Sequence, residues 1–131
     1  HSGLEGHSDG DVILHSITDA ILGATGDKDI GTHYPSNKKK YKNIRSIKML
    51  KPIVNNLNIK GFFINNIDLN LICEKPKVSF YRMKIIKSLS KILNVNKKII
   101  NLKGKTVEKL GLIGKEKAIA AEVISSIIKY D

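Results

Sequence analysis

The chain has 131 residues, which is enough for one domain with a buried core and too few for two. Its single cysteine excludes a fold held by an internal disulfide, and no apolar run has the length needed to cross a bilayer, so no membrane partner is expected. The formal charge of +11 indicates an anionic partner, either a small-molecule substrate or a nucleic acid.

The 23 basic residues are almost all lysines, with Arg45 and Arg82 as the exceptions. Proteins that read nucleic acids favour arginine, because its guanidinium makes bidentate contacts to bases and phosphates. Isoleucine and asparagine are also abundant, and both share A/T-rich codons with lysine, so part of the charge reflects genome composition. We therefore expect a small anionic substrate and no nucleic acid.

Residues 11–25 are predicted to form the first helix, because their apolar side chains recur at the spacing of one buried face. Ser8 is expected to cap the amino terminus of this helix, with Asp11 as the acidic partner three residues later. Gly26 is expected to end it.

A second helix is predicted from Ser46 to about Leu57, and Pro52 inside it is expected to kink or shorten it. Residues 62–73 alternate in the manner of a strand that Pro76 ends. The predicted faces of this strand are Ile64, Asn66, Asp68 and Asn70 on one side and Phe63, Ile67, Leu69 and Leu71 on the other.

A third helix is predicted from about Ser79 to Leu93, with Met83 among its buried residues. Residues 99–103 read as a short strand and residues 106–110 as a helical turn. Residues 118–128 are ambiguous by periodicity, but their β-branched side chains favour a strand. Helices that alternate with strands predict an α/β or α+β layer fold.

His15 shares a polar stripe with Asp11 and Asp19, because the three residues are spaced four apart on the first helix. A helical histidine can bind Zn²⁺ through one ring nitrogen while a carboxylate orients the other. The alternative is a half-buried structural histidine that a carboxylate satisfies. A catalytic zinc needs three protein ligands, and the sequence has no His-x-His, Cys-x-x-Cys or Asp-x-His element to complete the set.

Several short stretches carry phosphate-binding chemistry, each beside a plainer alternative. Ser8 lies at a helix amino terminus, which favours phosphate, although simple capping is the commoner role. Residues 103–109 follow a strand with a glycine, a hydroxyl and Glu108, which can cradle phosphate and hold Mg²⁺ or can be a solvated helix start. The Lys-Pro-Lys run at 75–77 can bind a diphosphate or guard a sheet edge, and residues 29–31 can bind a hydroxylated ligand or form a turn.

Taken together, these residues resemble the 2-C-methyl-D-erythritol 2,4-cyclodiphosphate synthase family of the non-mevalonate isoprenoid pathway, from Gly3 to about Ile128. The first block, Gly-His-Ser-Asp-Gly-Asp-Val at residues 6–12, is specific. The later elements follow in the family's order: His15, residues 18–20, 22–24, 29–31 and 66–68, Pro76-Lys77, residues 101–103, Thr106 and residues 108–111.

The resemblance implies a single α+β domain over residues 1–131, with helices packed on one face of a mixed sheet and assembly as a homotrimer whose active sites lie between subunits. It implies a lyase that converts 4-diphosphocytidyl-2-C-methyl-D-erythritol 2-phosphate to the 2,4-cyclodiphosphate and releases CMP. The implied cofactors are Zn²⁺ and either Mg²⁺ or Mn²⁺. A non-enzymatic anion-binding or nucleic-acid-binding protein on the same scaffold is the alternative.

The resemblance also implies the role of individual residues. His15 is the implied zinc ligand, Glu108 the ligand of Mg²⁺ or Mn²⁺, and His7 and Thr106 the groups that stabilise the transition state. The cytidine pocket would lie in residues 73–79. The implied substrate-binding residues are Ser8, Asp29, Gly31, Pro76, Lys77, Lys105, Glu108 and Lys115.

The sequence departs from the family at a few positions. The family's other zinc ligands lie in an Asp-x-His element on a strand before residue 1, so the domain is expected to lack that N-terminal strand. Lys105 replaces a threonine, Ser36 an aspartate and Lys115 an arginine, which loses bidentate phosphate binding at that position. Composition and pathway predict the plastid of an A/T-rich eukaryote as the compartment, with the cytoplasm of an A/T-rich bacterium as the alternative.

Overall fold

The structure, a computed structural model, describes residues 7–27, 32, 35, 46–73, 78–105, 111 and 119–130, with residues 7–9, 46 and 78–80 described by their backbone alone. The elements are helices α1 (His7–Ala24), α2 (Ser46–Ile59) and α3 (Val78–Leu93), and strands β1 (Phe62–Ile72), β2 (Ile100–Lys105) and β3 (Ala120–Lys129). A 3-10 turn, Lys97–Ile99, leads into β2. None of the described helices has the length and apolar character of a membrane span. The helical turn predicted at residues 106–110 lies outside the described residues.

Helix α1 begins at His7, earlier than the predicted start at residue 11, so Ser8 lies inside the first turn instead of preceding the helix. The acidic residues that follow Ser8 favour this longer helix, because negative charge is stabilised near a helix amino terminus. The predicted end is confirmed. Gly26 has a φ of 74°, and the N–H of Asp27 donates to the Leu22 carbonyl at 2.8 Å, which is the pattern of a Schellman motif.

Pro52 does not shorten α2, which continues to Ile59. Of the two effects expected of Pro52, a kink or a shorter helix, the shortening is not observed. Proline removes the N–H that would bond to the carbonyl of Lys48. Both Lys48 and Pro52 are exposed, so water can satisfy that carbonyl from outside the helix.

The sheet has the order β2-β1-β3, with β1 parallel to β2 and antiparallel to β3. Helix α1 packs against β3, and α3 packs against β2. The predicted α+β fold with a mixed sheet is thus confirmed, and so is the strand that was predicted at residues 118–128. The opposite side of the sheet carries no described helix and is called the outer face here. Its side chains include Asp68, Asn70, Asn101, Lys103, Glu122 and Ile124.

A β-bulge at Asn65 exchanges the two faces of β1. Ile64 pairs with Ile127 and Asn66 with Ser126, so β1 holds one residue more than β3 at this point. After the bulge Ile67 and the residues that alternate with it are buried, as predicted. Before the bulge the order is reversed, because an extra residue shifts the alternation by one. Phe63 is therefore 42% exposed, and its predicted place on the buried face is wrong.

The core lies between the helices and the inner face of the sheet. Its fully buried side chains include Ile17, Ile21, Leu50, Ile67, Leu69, Leu71, Leu93 and Leu102. Helix α3 contributes Ile86, Leu89 and Leu93, but Met83 is 66% exposed, against the prediction. Each three-residue step along an α-helix falls about 60° short of a full turn. Met83 therefore lies to one side of the buried stripe that Ile86, Leu89 and Leu93 form.

Candidate active site

The described part of the candidate site is the edge of the sheet at which parallel strands β1 and β2 end side by side. Ile72 pairs with Lys105, and the N–H of Cys73 donates to the carbonyl of Lys105 at 3.1 Å. The segment predicted to hold cytidine, residues 73–79, therefore leaves the sheet next to the predicted phosphate-binding stretch. Ligands of open sheets with parallel strands bind outside the carboxyl ends of those strands.

The amino-terminal half of α1 is fixed at the same edge. Strand β3 begins here, because Ala120 pairs with Ile72. The hydroxyl of Ser16 lies 2.9 Å from the carbonyl of Val12 and 3.4 Å from that of Ala121, so it ties α1 to the start of β3. The neighbouring residue, His15, is exposed. The fold thus brings the middle of α1, which carries the predicted zinc ligand, to the end of the sheet at which β1 and β2 finish.

The exposure of His15 bears on its role. The exposed side chain argues against the alternative of a half-buried structural histidine. A metal ligand, by contrast, requires an accessible ring nitrogen. Within the described ranges, however, no group of three or more His, Cys, Asp or Glu side chains could hold a metal ion. His15 therefore fits zinc as a single ligand, and the described residues do not complete the site.

Most of the other predicted site residues lie outside the described part of the chain. His7 and Ser8 are described only by their backbone, in the first turn of α1. Lys105 is described, and its exposed side chain is the last of β2 at the site edge. The predicted residues outside the described ranges are Asp29, Gly31, Pro76, Lys77, Thr106, Glu108 and Lys115.

The outer face holds a polar cluster to which the sequence analysis gave no role. The carboxylate of Asp68 accepts a hydrogen bond from Lys103 Nζ at 3.0 Å and one from Asn101 Nδ2 at 3.1 Å. The hydrogen bond from Lys103, helped by that from Asn101, holds the pKa of Asp68 below its usual value. Opposite charges at outward positions of two predicted strands were the signal in the sequence that could have revealed the cluster.

Taken together, the mixed sheet and the lysines at the end of β2 define a small α+β domain. The chain belongs to the YgbB family, whose model matches residues 1–128.

The relatives carry related names. The chain is 54% identical over 129 residues to the bifunctional enzyme IspD/IspF of Pelagibacter ubique, covering 98% of this chain and 35% of that protein. It is 44% identical to the 2-C-methyl-D-erythritol 2,4-cyclodiphosphate synthase of Halothermothrix orenii, with 96% of this chain and 76% of the relative covered. The chain thus spans about a third of the length of the bifunctional relatives that it matches.

Solved structures agree with the family assignment. The fold is similar to that of IspF from Plasmodium falciparum in a CDP complex, with a TM-score of 0.80, 42% identity, and coverage of 96% of this chain and 76% of that one. It is also similar to the bifunctional IspDF of Campylobacter jejuni, with a TM-score of 0.83, 39% identity, and coverage of 95% and 34%.

Proposed function

We propose that this chain cyclises 4-diphosphocytidyl-2-C-methyl-D-erythritol 2-phosphate to 2-C-methyl-D-erythritol 2,4-cyclodiphosphate and releases CMP. The observation that carries the proposal is the joint end of β1 and β2, because the stretches proposed to bind nucleotide and phosphate are the continuations of these two strands in the sequence. A nucleoside diphosphate needs both kinds of contact at adjacent positions. The relatives named as this synthase and the CDP complex of a 42% identical chain support the same assignment.

The reaction is an intramolecular phosphoryl transfer. An oxygen of the 2-phosphate attacks the β-phosphorus, and the bond from that phosphorus to the oxygen bridging the two phosphates breaks. CMP leaves with the bridging oxygen and its electron pair. The nucleophile is already an anion, so the step requires no general base. Its barrier is the repulsion between two phosphate groups, which positive charge and fixed donors at the site lower.

The chain's own residues would orient the substrate along the sheet edge. Residues 73–79 would hold the cytidine, and the Lys105 ammonium would face the diphosphate from the end of β2. His7 and Thr106 would donate to oxygens that gain charge in the transition state. The remaining proposed contacts are those of Ser8, Asp29, Gly31, Pro76, Lys77 and Lys115.

Two metal sites belong to the proposal. His15, exposed on α1, would be one zinc ligand, with the others supplied from outside the described residues. Glu108 would hold Mg²⁺ or Mn²⁺ against the phosphates. Bound divalent metal ions supply positive charge that neutralises and aligns the reacting phosphates.

A homotrimer with active sites between subunits also belongs to the proposal. The outer face supports it, because the apolar side chain of Ile124 is 75% exposed there. A neighbouring subunit would cover it.

The proposed compartment is the plastid of an A/T-rich eukaryote, with the cytoplasm of an A/T-rich bacterium as the alternative. The similarity to the Plasmodium falciparum chain supports the first, and the higher identity to the Pelagibacter ubique protein supports the second. The gene sequence upstream of His1 tests the choice, because a transit peptide there would favour the plastid.

The test of function is CMP release from the cytidine diphosphate substrate by the protein that carries this chain, followed by phosphorus NMR. We expect CMP and a cyclic diphosphate in equal amounts. A preparation with intact His15 and Glu108 that releases no CMP would contradict the proposal. Salt-sensitive binding of random DNA oligomers without CMP binding would instead support a non-enzymatic role.

A further inference from the structure

On the outer face, Asp68 of β1 holds two residues of β2 at once. One carboxylate oxygen accepts from Asn101 Nδ2 at 3.1 Å, and the other accepts from Lys103 Nζ at 3.0 Å. Asn101 lies directly opposite Asp68 in the register, and Lys103 is the next outward residue along β2. A single side chain therefore spans two successive outward positions of the neighbouring strand.

The bridge lies just before the site edge. After Lys103, β2 contains only Gly104 and Lys105. Gly104 has no side chain to pack, and glycine weakens a strand at its position. The Lys105 side chain is exposed, so packing in the core does not hold it in place. Lys103 is thus the last side chain of β2 with a described hydrogen bond to β1 before the phosphate-binding stretch begins.

The register of two parallel strands depends more on side-chain contacts between the strands than the register of a hairpin does. No tight turn sets the register of β1 against β2, because a long crossover containing α3 connects them. The N–H of Cys73 donates a hydrogen bond to the Lys105 carbonyl at 3.1 Å. A slip at the end of β2 would move this carbonyl away from the N–H. That bond is the point from which the two ligand-binding stretches diverge.

The negative charge of Asp68 also interacts with two lysines of β2. Lys103 and Lys105 are alternate residues of one strand and share the outer face. The positive charges of both favour the ionised carboxylate of Asp68. The negative charge of this carboxylate therefore lowers the electrostatic repulsion between the two ammonium groups.

We propose that Asp68 is a positioning residue, which uses Asn101 and Lys103 to fix the end of β2 so that the nucleotide and phosphate stretches meet the substrate in one geometry. The inference rests on the proposed function, since the substrate defines what is positioned. Asp68 itself touches no reacting atom.

The test compares Asp68→Asn, Lys103→Met and the double variant in the protein that carries this chain. We expect each single variant to lower kcat/KM about five-fold, mainly through KM, which is the upper end of the effect of losing an exposed ion pair. The double variant should be no worse than either single variant, because all three break the same bridge. Asp68→Glu, which keeps the charge, should recover part of the loss.

A matched control separates positioning from a general loss of positive charge. Lys87 is exposed on α3, so Lys87→Met removes the same charge without touching the bridge on the outer face and should leave kcat/KM unchanged. Hydrogen exchange supplies a readout that does not depend on turnover. Asp68→Asn should speed exchange at the Cys73 amide and leave the amides of β3 that pair with β1 unchanged.

The outcomes distinguish the two proposals. A parent protein that releases no CMP would overturn the proposed function. In an active parent, unchanged kcat/KM and unchanged Cys73 exchange in Asp68→Asn would overturn the positioning role. Additive losses in the double variant, or an equal loss in Lys87→Met, would overturn it as well.

Discussion

The side chain of His15 is exposed, and so is that of Asp19 one turn later on the same helix. Sequence spacing alone could place His15 on a polar stripe, but it could not tell a ligand from a structural residue. The difference depends on what packs over the stripe, and that is a property of the whole fold. The described structure leaves the imidazole accessible, which favours the ligand role.

Two substitutions test how the metal roles are divided. His15→Gln should lower the zinc content per chain by a large fraction, because it removes one of the imidazole donors that zinc prefers, while the helical circular dichroism stays unchanged. Glu108→Gln should weaken the dependence of activity on Mg²⁺ and leave zinc in place. Metal analysis by mass spectrometry measures both, and loss of zinc in Glu108→Gln would count against this division.

The lowered pKa of Asp68 gives a pH dependence with a defined sign. A carboxylate whose pKa is lowered on folding stabilises the fold above its ordinary pKa, and that contribution is lost as the pH falls through the lowered value. The denaturation midpoint of the parent should exceed that of Asp68→Asn at neutral pH. The gap should be small, since the pair is exposed, and should close below about pH 4. A gap that widened in acid would contradict this account.

At the scale of single elements, two glycines near the end of α1 have opposite roles. Gly23 lies within the helix and Gly26 has a φ of 74°, and nothing lies within 4 Å of the position of an added Cβ at either residue. Crowding therefore does not enter the comparison. Backbone conformation alone separates the two positions.

We expect Gly26→Ala to destabilise the protein by about 1 kcal/mol, because alanine is strained at positive φ. Gly23→Ala should stabilise it by about 0.5–1 kcal/mol, since alanine is the better helix former. Chemical denaturation of both variants measures the difference. Equal effects of the two substitutions would show that Gly26 does not end the helix as described.

The sequence predicted the type and order of the described elements well, because helices and strands have different hydrophobic periods. Strand β1 shows where this reasoning stops. A single alternation placed Phe63 with Ile67, but the bulge at Asn65 shifts the phase between them. Nothing in the local sequence marks the extra residue, because the bulge exists only against the partner strand. The shortening expected at Pro52 did not occur for a similar reason. The energetic cost of a proline in a helix depends on whether water reaches the carbonyl that the proline leaves without a hydrogen bond.

At the scale of the whole molecule, the outer face is the feature that a single chain leaves incomplete. Ile124 lies there beside Asp68 in the strand register and is 75% exposed. Phe63 and Ile128, which pair with each other further along the same strands, are also exposed, and exposed apolar patches of this kind mark contacts between subunits. The proposed homotrimer would use this face.

Ile124→Lys should therefore shift the molar mass measured by light scattering from that of a trimer towards that of a single chain. Ile59 offers a matched control, because it is also 75% exposed but lies at the end of α2. Ile59→Lys should leave the molar mass unchanged. A parent protein that is a monomer would overturn the proposed assembly, whatever the variants do.

The central place of β1 has a consequence for synthesis on the ribosome. Both strands that pair with β1 come later in the chain, so β1 leaves the ribosome with two open edges. Such strands are exposed to pairing with other nascent chains until their own partners arrive. Asn66, Asp68 and Asn70 interrupt its apolar sequence at alternate positions, and polar residues at this spacing oppose premature association. The same polar face that holds β2 in register thus also protects the chain while it is still being made.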